Sequence, residues 1–190
     1  MDAIILAAGL STRMGKNKLL LPFGSSTVLN AVIEKAEPFA DRIIVVLGNE
    51  SDRVRASITS SKVTFALNPD YEKGQLTSTL CGIRASIGDF FILPGDIPRI
   101  AYEDIESTIR LLNESTAARC FYKEIPGHPV ALREENRDKI LSYPGTIRNY
   151  LREIPLSQHQ GTIGSVFDAD TSLRYEALLA SDMDPALLDA

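Results

Sequence analysis

Arg13, Lys16 and Lys18 put three cations within six residues, directly after the small residues Ala7, Ala8 and Gly9. The chain as a whole is acidic, with a formal net charge of −5, so a cluster of this sign stands out. Small side chains let a ligand reach the backbone, exposed N–H groups cradle phosphate oxygens, and Arg13 and Lys18 neutralise a polyphosphate. The chemistry suited to such a loop is the handling of a nucleoside triphosphate. The plain alternative, a solvated basic loop, loses ground because the cluster follows a predicted strand, the end at which α/β sheets bind ligands. A P-loop is excluded by spacing: Gly9 and Gly15 enclose five residues instead of four, and Lys16 is followed by Asn17 instead of Ser or Thr. No Gly-x-Gly-x-x-Gly fingerprint occurs either.

Carboxylates supply the second chemistry. The apolar run Phe90 to Leu93 leads through Pro94 and Gly95 to Asp96, which stands where a strand ends. Mg²⁺ takes one or two carboxylates together with phosphate oxygens and water, so one Asp beside a triphosphate loop suits it; the competing role is a turn-forming Asp before Pro98. Asp168 and Asp170 lie two apart after the apolar run Ile163 to Phe167, and extended geometry would put both on one face. One could complete a metal site while the other caps the next helix. His128 and His159 are the two histidines and show no metal-ligand spacing. Cys81 and Cys120, far apart in apolar surroundings, read as two buried thiols.

The elements that must position these residues alternate. Ala3 to Ala8, Ile43 to Leu47, Val63 to Leu67 and Phe90 to Leu93 are short apolar runs bounded by Gly, Asn, Asp or Pro, and read as buried parallel strands. Between them, Thr27 to Glu37, Asp52 to Ile58 and Gln75 to Ser86 have helical spacing. This alternation predicts an α/β fold: a doubly wound, mostly parallel sheet flanked by helices. After a helix from Tyr102 to Asn113, strands Ala117 to Tyr122 and Pro129 to Leu132, joined by a turn at Glu124 to Gly127, predict a small antiparallel extension. Helices at Glu134 to Leu141, Thr146 to Arg152 and Leu173 to Ala180, a strand at Ile163 to Phe167, a loop at Gln158 to Gly161 and a frayed end after Ser181 complete the reading. With 190 residues and 44% hydrophobic composition, one domain over 1–190 is expected, its nucleotide-binding part about 1–100 and its acceptor side about 101–180.

The acidic balance argues against nucleic acid or an anionic membrane as partner. No apolar run approaches the ~20 residues of a membrane span, and the start carries no secretory-signal pattern, so a cytoplasmic location is expected.

The segment LAAGLSTRMGKNKLL resembles the signature of the nucleotidyltransferases related to the molybdenum cofactor enzymes. Further matches follow in that family's order. Gly74-Gln75-Leu76-Thr77-Ser78 with Gly82 is similar to its base-proximal loop and Gly95-Asp96-Ile97-Pro98 to its metal motif. Gly127-His128-Pro129-Val130 is similar to its acceptor-side motif and Asp168-Ala169-Asp170-Thr171 to its late acidic motif. The resemblance covers residues 3 to about 178. Leu-Ala-Ala-Gly followed by Gly-His-Pro-Val looks more like the cytidylyltransferase branch than the guanylyltransferase branch, whose loop typically reads Leu-Ala-Gly-Gly.

The resemblance implies a nucleotide-diphospho-sugar transferase-like Rossmann-type fold and a Mg²⁺-dependent transfer of a nucleoside monophosphate, CMP from CTP, to molybdopterin or its molybdenum-loaded form. It implies catalytic Arg13, Lys18 and Asp96, and nucleotide contacts from Leu6, Ala7, Ala8, Gly9, Arg13, Lys18, Gln75 and Ser78. His128 and Pro129 would face the acceptor, with weaker contributions from Tyr122 and Lys123, and the metal ligands would come from Asp96, Asp168 and Asp170. It leaves room for transient contact with a molybdoenzyme or its maturation chaperone. Two stretches depart from the pattern. Ser142-Tyr143-Pro144-Gly145-Thr146-Ile147-Arg148 stands where a Gly-Asp-x-Gly-Ala-Arg stretch is usual, and Tyr143 with Pro144 would either narrow the acceptor groove or give it a stacking face. Ser172-Leu173-Arg174 stands where Pro-Glu-Asp is expected. Two rival readings remain: transfer to a sugar or alcohol phosphate, and a non-catalytic nucleotide-binding maturation factor.

Overall fold

A computed structural model of the chain describes residues 1–189; Ala190, the last residue of the expected domain, lies outside them. The first half is built from β1 (Asp2–Ala7), a two-strand ribbon β2 (Pro22–Phe23) and β3 (Ser26–Thr27), α1 (Val28–Ala36), β4 (Arg42–Leu47), α2 (Ser51–Ser57), β5 (Val63–Leu67), α3 (Gln75–Ala85) and β6 (Phe90–Pro94). The second half continues with α4 (Tyr102–Arg110), β7 (Ala117–Tyr122), β8 (Ile125–Leu132), α5 (Arg137–Ser142), α6 (Ile147–Tyr150), β9 (Ser157–Gln160) and α7 (Ser172–Ala180).

Seven strands form one sheet in the order β5-β4-β1-β6-β8-β7-β9. All pairings are parallel except those of β8, which runs antiparallel to both β6 and β7. The expected mostly parallel sheet with an antiparallel insertion is therefore present. Period-two alternation feeds both faces of the central strands. Ala3, Ile5, Val45, Leu47, Phe91 and Leu93 pack with α1, α2 and α4 through Leu29, Val32, Val54 and Ile105. Ile4, Ile44, Val46, Phe90, Ile92 and Val130 pack with α3, α5 and α6 through Ile83, Ile140 and Tyr150. Burying each such side chain is worth roughly 1.5–3 kcal/mol. Gly82 lets α3 lie close to the sheet, because a Cβ there would stand 2.3 Å from Ile4 Cγ2.

The chain moves outward from β1 to β4 and β5, then returns to place β6 on the other side of β1. Between β1 and β6 the winding reverses, and there the carboxyl ends of two adjacent parallel strands diverge into separate loops, leaving a crevice. Because β8 is antiparallel, its amino end lies beside the carboxyl end of β6: Ile92 pairs with Val130, which carries His128 toward Pro94.

Four expectations are corrected. Ile163 to Phe167 is not a strand; Ile163–Ser165 form a 3₁₀ turn, closed by Ser165 Oγ donating to Thr162 O at 2.7 Å, and Gly164 packs against the Arg99 carbonyl where no side chain fits. The seventh strand is instead the polar Ser157–Gln160, most of which falls in the loop expected at Gln158 to Gly161; it pairs with β7 at the sheet edge, where an apolar pattern is not required. The hairpin turn falls at Lys123 and Glu124, with Lys123 at φ 51°, so Ile125, Pro126 and Gly127 already belong to β8, beside a register shift that tolerates the proline. The end after Ser181 is also ordered into the fold, since Leu187 and Leu188 pack near Phe167 and Leu178. No helix among the described residues is long and apolar enough to cross a membrane.

Candidate active site

At the carboxyl end of β1 the chain turns through Ser11 at φ 53° and Gly15 at φ 64°, enclosing a single 3₁₀ turn at Thr12–Met14. It then enters a second turn at Lys18–Leu20, capped by Asn17, whose Oδ1 accepts from Leu19 N at 3.2 Å. Ser11 Oγ accepts from Lys18 N at 3.3 Å and ties the two ends of the loop together. At the end of β6, Gly95 N donates to Leu6 O at 2.9 Å, and a Cβ on Gly95 would come within 2.9 Å of that same oxygen. Only glycine lets Asp96 follow so close to β1.

The late acidic segment reaches the same place. Phe167 and Ala169 are fully buried, and Ala169 N donates to Asp96 O at 3.0 Å. With every second residue anchored in the core, Asp168 and Asp170 both face the cleft, as their spacing predicted, although no strand holds them. Lys18 Nζ donates to both Asp96 Oδ2 and Asp170 Oδ1. Arg13, largely exposed, reaches Asp170 Oδ2 at 2.9 Å. Asp168 is turned instead to Arg174, at 2.9 Å. Among the described residues no three carboxylate, histidine or cysteine groups form a ready-made metal cage. The converging pair is Asp96 with Asp170.

Electrostatics follow from this geometry. Burial works against the charge of Lys18, but Asp96 and Asp170 outweigh it and raise its pKa. Burial also opposes the charge on Asp170, yet the hydrogen bond and charge of Lys18, with Arg13 and Arg174 behind, hold its pKa below the usual carboxylate range. Asp168 is pushed up by burial and by the charges of Asp96 and Asp170, against the pull of Arg174.

These groups line a cleft of about 730 Å³ that also takes in Leu6, Ala8, Gly9, Gln75, Ser78 and His128. The family of MobA-like NTP transferase domains matches residues 3–162. The chain belongs to this family. It is 37% identical over 131 residues to the molybdenum cofactor cytidylyltransferase of Escherichia coli K12, an alignment that covers 68% of each chain. It is 32% identical over 142 residues to the bifunctional protein GlmU of Solibacter usitatus, covering 71% of this chain and 30% of that relative's length. Among solved structures, Rv0371c of Mycobacterium tuberculosis H37Rv superposes with a TM-score of 0.79 at 24% identity, covering 94% of this chain and 96% of the other.

As a MobA-like nucleotidyltransferase, the chain brings most of its sequence-predicted site residues into one cleft; Ala7, Pro129, Tyr122 and Lys123 lie outside it, and Ser78 borders it with its hydroxyl already engaged. Ala7 points into the opposite core face and does not line the cleft. Ser78 borders the cleft, but its hydroxyl accepts from Asn68 Nδ2 at 3.0 Å and so fixes the start of α3. Pro129 is buried, leaving His128 as the part of that motif which faces the cleft. Tyr122 and Lys123 stack on each other at the hairpin, with the ammonium 5.4 Å from the ring centre, away from the cleft. Lys16, the third cation of the loop, is exposed and does not line the cleft.

His128 keeps part of its surface open to the cleft, but its ring is crowded by protein and its Nδ1 is buried without a partner. Burial lowers its pKa to about 4, against the raising effect of a hydrogen bond with the Ile92 backbone and of Asp96. At neutral pH the ring is therefore uncharged. A second cavity of about 410 Å³ adjoins the first through Leu6, Gln75, Pro126 and His128. The divergent stretch contributes Thr146, Ile147 and Arg148 to its wall. Tyr143 does neither of the things expected of it: its ring packs edge-on against Tyr150 at 5.5 Å and its hydroxyl bonds Glu153, outside the cavity.

Arg119, Arg148 and Arg174 were not singled out from sequence as site residues. Arg174 had a legible signal, since it follows Asp170 by four residues on the helix that Thr171 caps. Arg119 lies in an apolar strand and had none. Of the two thiols, Cys120 is buried and pushed up to about 11 by burial, whereas Cys81 is only half buried, a correction to the expected pair.

Proposed function

We propose that this protein transfers CMP from CTP to the phosphate of molybdopterin or its molybdenum-loaded form, releasing pyrophosphate. The observation that carries the reading is the Lys18 ammonium held between Asp96 and Asp170, at the one point where the basic loop, β6 and the late acidic segment meet. An oxygen of the acceptor phosphate attacks the α-phosphorus in line, the bond to the β-phosphate oxygen breaks, and pyrophosphate leaves. An acceptor phosphate needs no strong base, which agrees with a His128 ring that stays neutral and serves to bound the acceptor, not to take its proton. The main obstacle is repulsion between anions: two unit charges ~4 Å apart repel by roughly 4 kcal/mol at an effective dielectric of 20. Arg13 and Lys18 offset it, and both are held in place by Asp170 before substrate arrives.

The donor set fits a magnesium ion. Asp96 Oδ1 is buried without a partner, and Asp96 and Asp170 both reach the Lys18 ammonium, so these two carboxylates would hold the ion while phosphate oxygens and water complete it. Bound there, it would neutralise the triphosphate charge and orient the α-phosphate. Nucleotide contacts come from Leu6, Ala8, Gly9 and Gln75. The Cβ of Ala8 narrows the slot for the base relative to a glycine, which penalises a purine more than a pyrimidine by ~1–3 kcal/mol. In this reading the nucleotide occupies the half formed by residues 1–100 and the acceptor the half formed by 101–180.

The test is to incubate the protein with Mg²⁺, CTP and molybdopterin and to follow the dinucleotide by mass together with pyrophosphate. Cytidylylation of a smaller sugar or alcohol phosphate in place of molybdopterin would move the acceptor. Tighter binding of GTP than of CTP would overturn the nucleotide. Absence of pyrophosphate release with every acceptor would leave a non-catalytic binding protein.

A further inference from the structure

The second cavity differs from the first in charge. The transfer cleft is lined by cations and by Asp96, Asp168 and Asp170, whereas the adjoining cavity has Arg119 and Arg148 on its wall and no carboxylate. Neither arginine, nor the neighbouring Arg152, takes part in an ion pair among the described residues. The other half-buried cations are each met, Lys18, Arg42, Arg133 and Arg137 by an acid, Arg99 by the Leu178 carbonyl and Lys35 by the Tyr102 ring.

The fold explains how Arg119 arrives there. It pairs with Val130 across β7 and β8, Val130 pairs with Ile92 across β8 and β6, and cross-strand partners share a face. His128, two residues before Val130, falls on that same face. Arg119 is thus half-buried, and its Nε is enclosed without a partner; its outer nitrogen finds only the amide oxygen of Gln158, at 3.4 Å. Burial first, then the charges of Arg148 and Arg152, disfavour its protonated form. A half-buried guanidinium with an unmet donor, facing a cavity and repelled by two like charges, is satisfied by an anion.

We propose that the acceptor carries a second anionic group, remote from its attacking phosphate, and that Arg119 with Arg148 binds that group in this cavity. The inference rests on the reading of the first cleft as the site of transfer, because His128 and Leu6 form the wall common to both and an acceptor lying along them spans the two. It adds a demand on the substrate: a second anionic group at the far end, which the dithiolene sulfurs of molybdopterin or the oxo groups of its molybdenum-loaded form would supply. Acceptors with a single phosphate and a neutral body are then poor substrates.

Two measurements separate this proposal from the transferase reading. The Nε–H resonance of Arg119, assigned by its loss in Arg119→Lys, is followed while inorganic phosphate and, separately, acetate are added at constant ionic strength. A saturable shift with either anion supports the proposal. No shift up to 0.1 M of either, in a folded protein, overturns it, whether or not the enzyme transfers nucleotide. In the transfer assay, Arg119→Gln raises the KM for the acceptor about tenfold or more, the scale of one charged hydrogen bond, with kcat and the KM for nucleotide unchanged and partial recovery in Arg119→Lys. An equal fall in kcat and in nucleotide affinity would show a merely structural role. Failure of the wild type to release pyrophosphate with any acceptor refutes the transfer reading and leaves the anion titration to decide the cavity.

Discussion

Lys18 is buried among carboxylates only because the loop after β1, Gly95 and Ala169 each place a backbone within hydrogen-bonding distance of the next. Substitutions here separate chemistry from folding. Asp96→Asn is expected to lower turnover by about 10²-fold or more while leaving the urea midpoint nearly unchanged, since one oxygen of this side chain is enclosed without a partner. Arg13→Ala and Lys18→Ala are expected to lower kcat/KM by about 10²-fold each, and the exposed Lys16→Ala to change it little. Steady-state kinetics of the four variants check this, and a Lys16 variant as damaged as the others would show that the loop register is wrong. His128 gives a linked prediction about stability. Its pKa falls from 6.5 to about 4 on folding, so below pH 6.5 the unfolded chain takes up a proton that the folded chain refuses. Its contribution is full above pH 6.5 and is lost as the pH drops toward 4, by at most about 3.5 kcal/mol at 1.4 kcal/mol per unit, less what its partial exposure returns. Urea denaturation between pH 7 and 4.5 should show a shallower loss in His128→Gln than in the wild type.

At the scale of elements, what could be read from sequence depended on whether a segment is buried on both sides. β1, β4 and β6 were legible because central parallel strands must be apolar throughout, whereas β5, apolar in sequence and expected to be buried, lies at the sheet edge with Phe65 and Leu67 exposed. The basic loop and Asp96 were legible as their consequences, since a loop at such a strand end has few roles open to it. β9 was not: Ser157 to Gln160 is an edge strand whose pairing is made by backbone, so its side chains carry no apolar signal. Ile163 to Phe167 failed in the opposite way, with apolar side chains serving a turn that packs into the core. Arg119 was hidden for a third reason, that a cation within an apolar strand looks like an exception until the neighbouring strand shows what it faces. Close packing of α3 on the sheet carries its own test. Gly82→Ala would push a Cβ to 2.3 Å from Ile4 Cγ2 and 3.0 Å from Val46 Cγ2, both in the core. Overpacking of this kind costs about 1–3 kcal/mol, which urea titration should show as a lower midpoint with an unchanged slope.

For the molecule as a whole, the last residues and the transfer cleft are joined through one side chain. Arg174 is 8% exposed and directs its guanidinium three ways: Nε to Leu187 O at 2.8 Å, one terminal nitrogen to Leu188 O at 2.8 Å, and the other to Asp168 Oδ1 at 2.9 Å. The chain end is thereby tied to the late acidic segment, which Ala169 ties in turn to Asp96. Ending the chain after Ser181 removes two of the three acceptors and leaves a buried guanidinium to be met by water or by movement. It also strips the apolar cover that Leu187 and Leu188 give Phe167 and Leu178. An uncompensated buried donor costs about 1–3 kcal/mol, and more when charged. The truncated protein is therefore expected to unfold at lower urea, by about 2–4 kcal/mol once the lost apolar cover is added. A guanidinium freed from the tail carbonyls can turn fully to Asp168, whose Oδ1 also accepts from Asp170 N at 3.0 Å, and so disturb the placing of Asp170; affinity for Mg²⁺ should fall with it. Denaturation and metal titration of the same truncated chain check both parts. A loss of stability with metal affinity intact would confine the tail to folding, and no change in either would show that Arg174 needs no partner beyond Asp168.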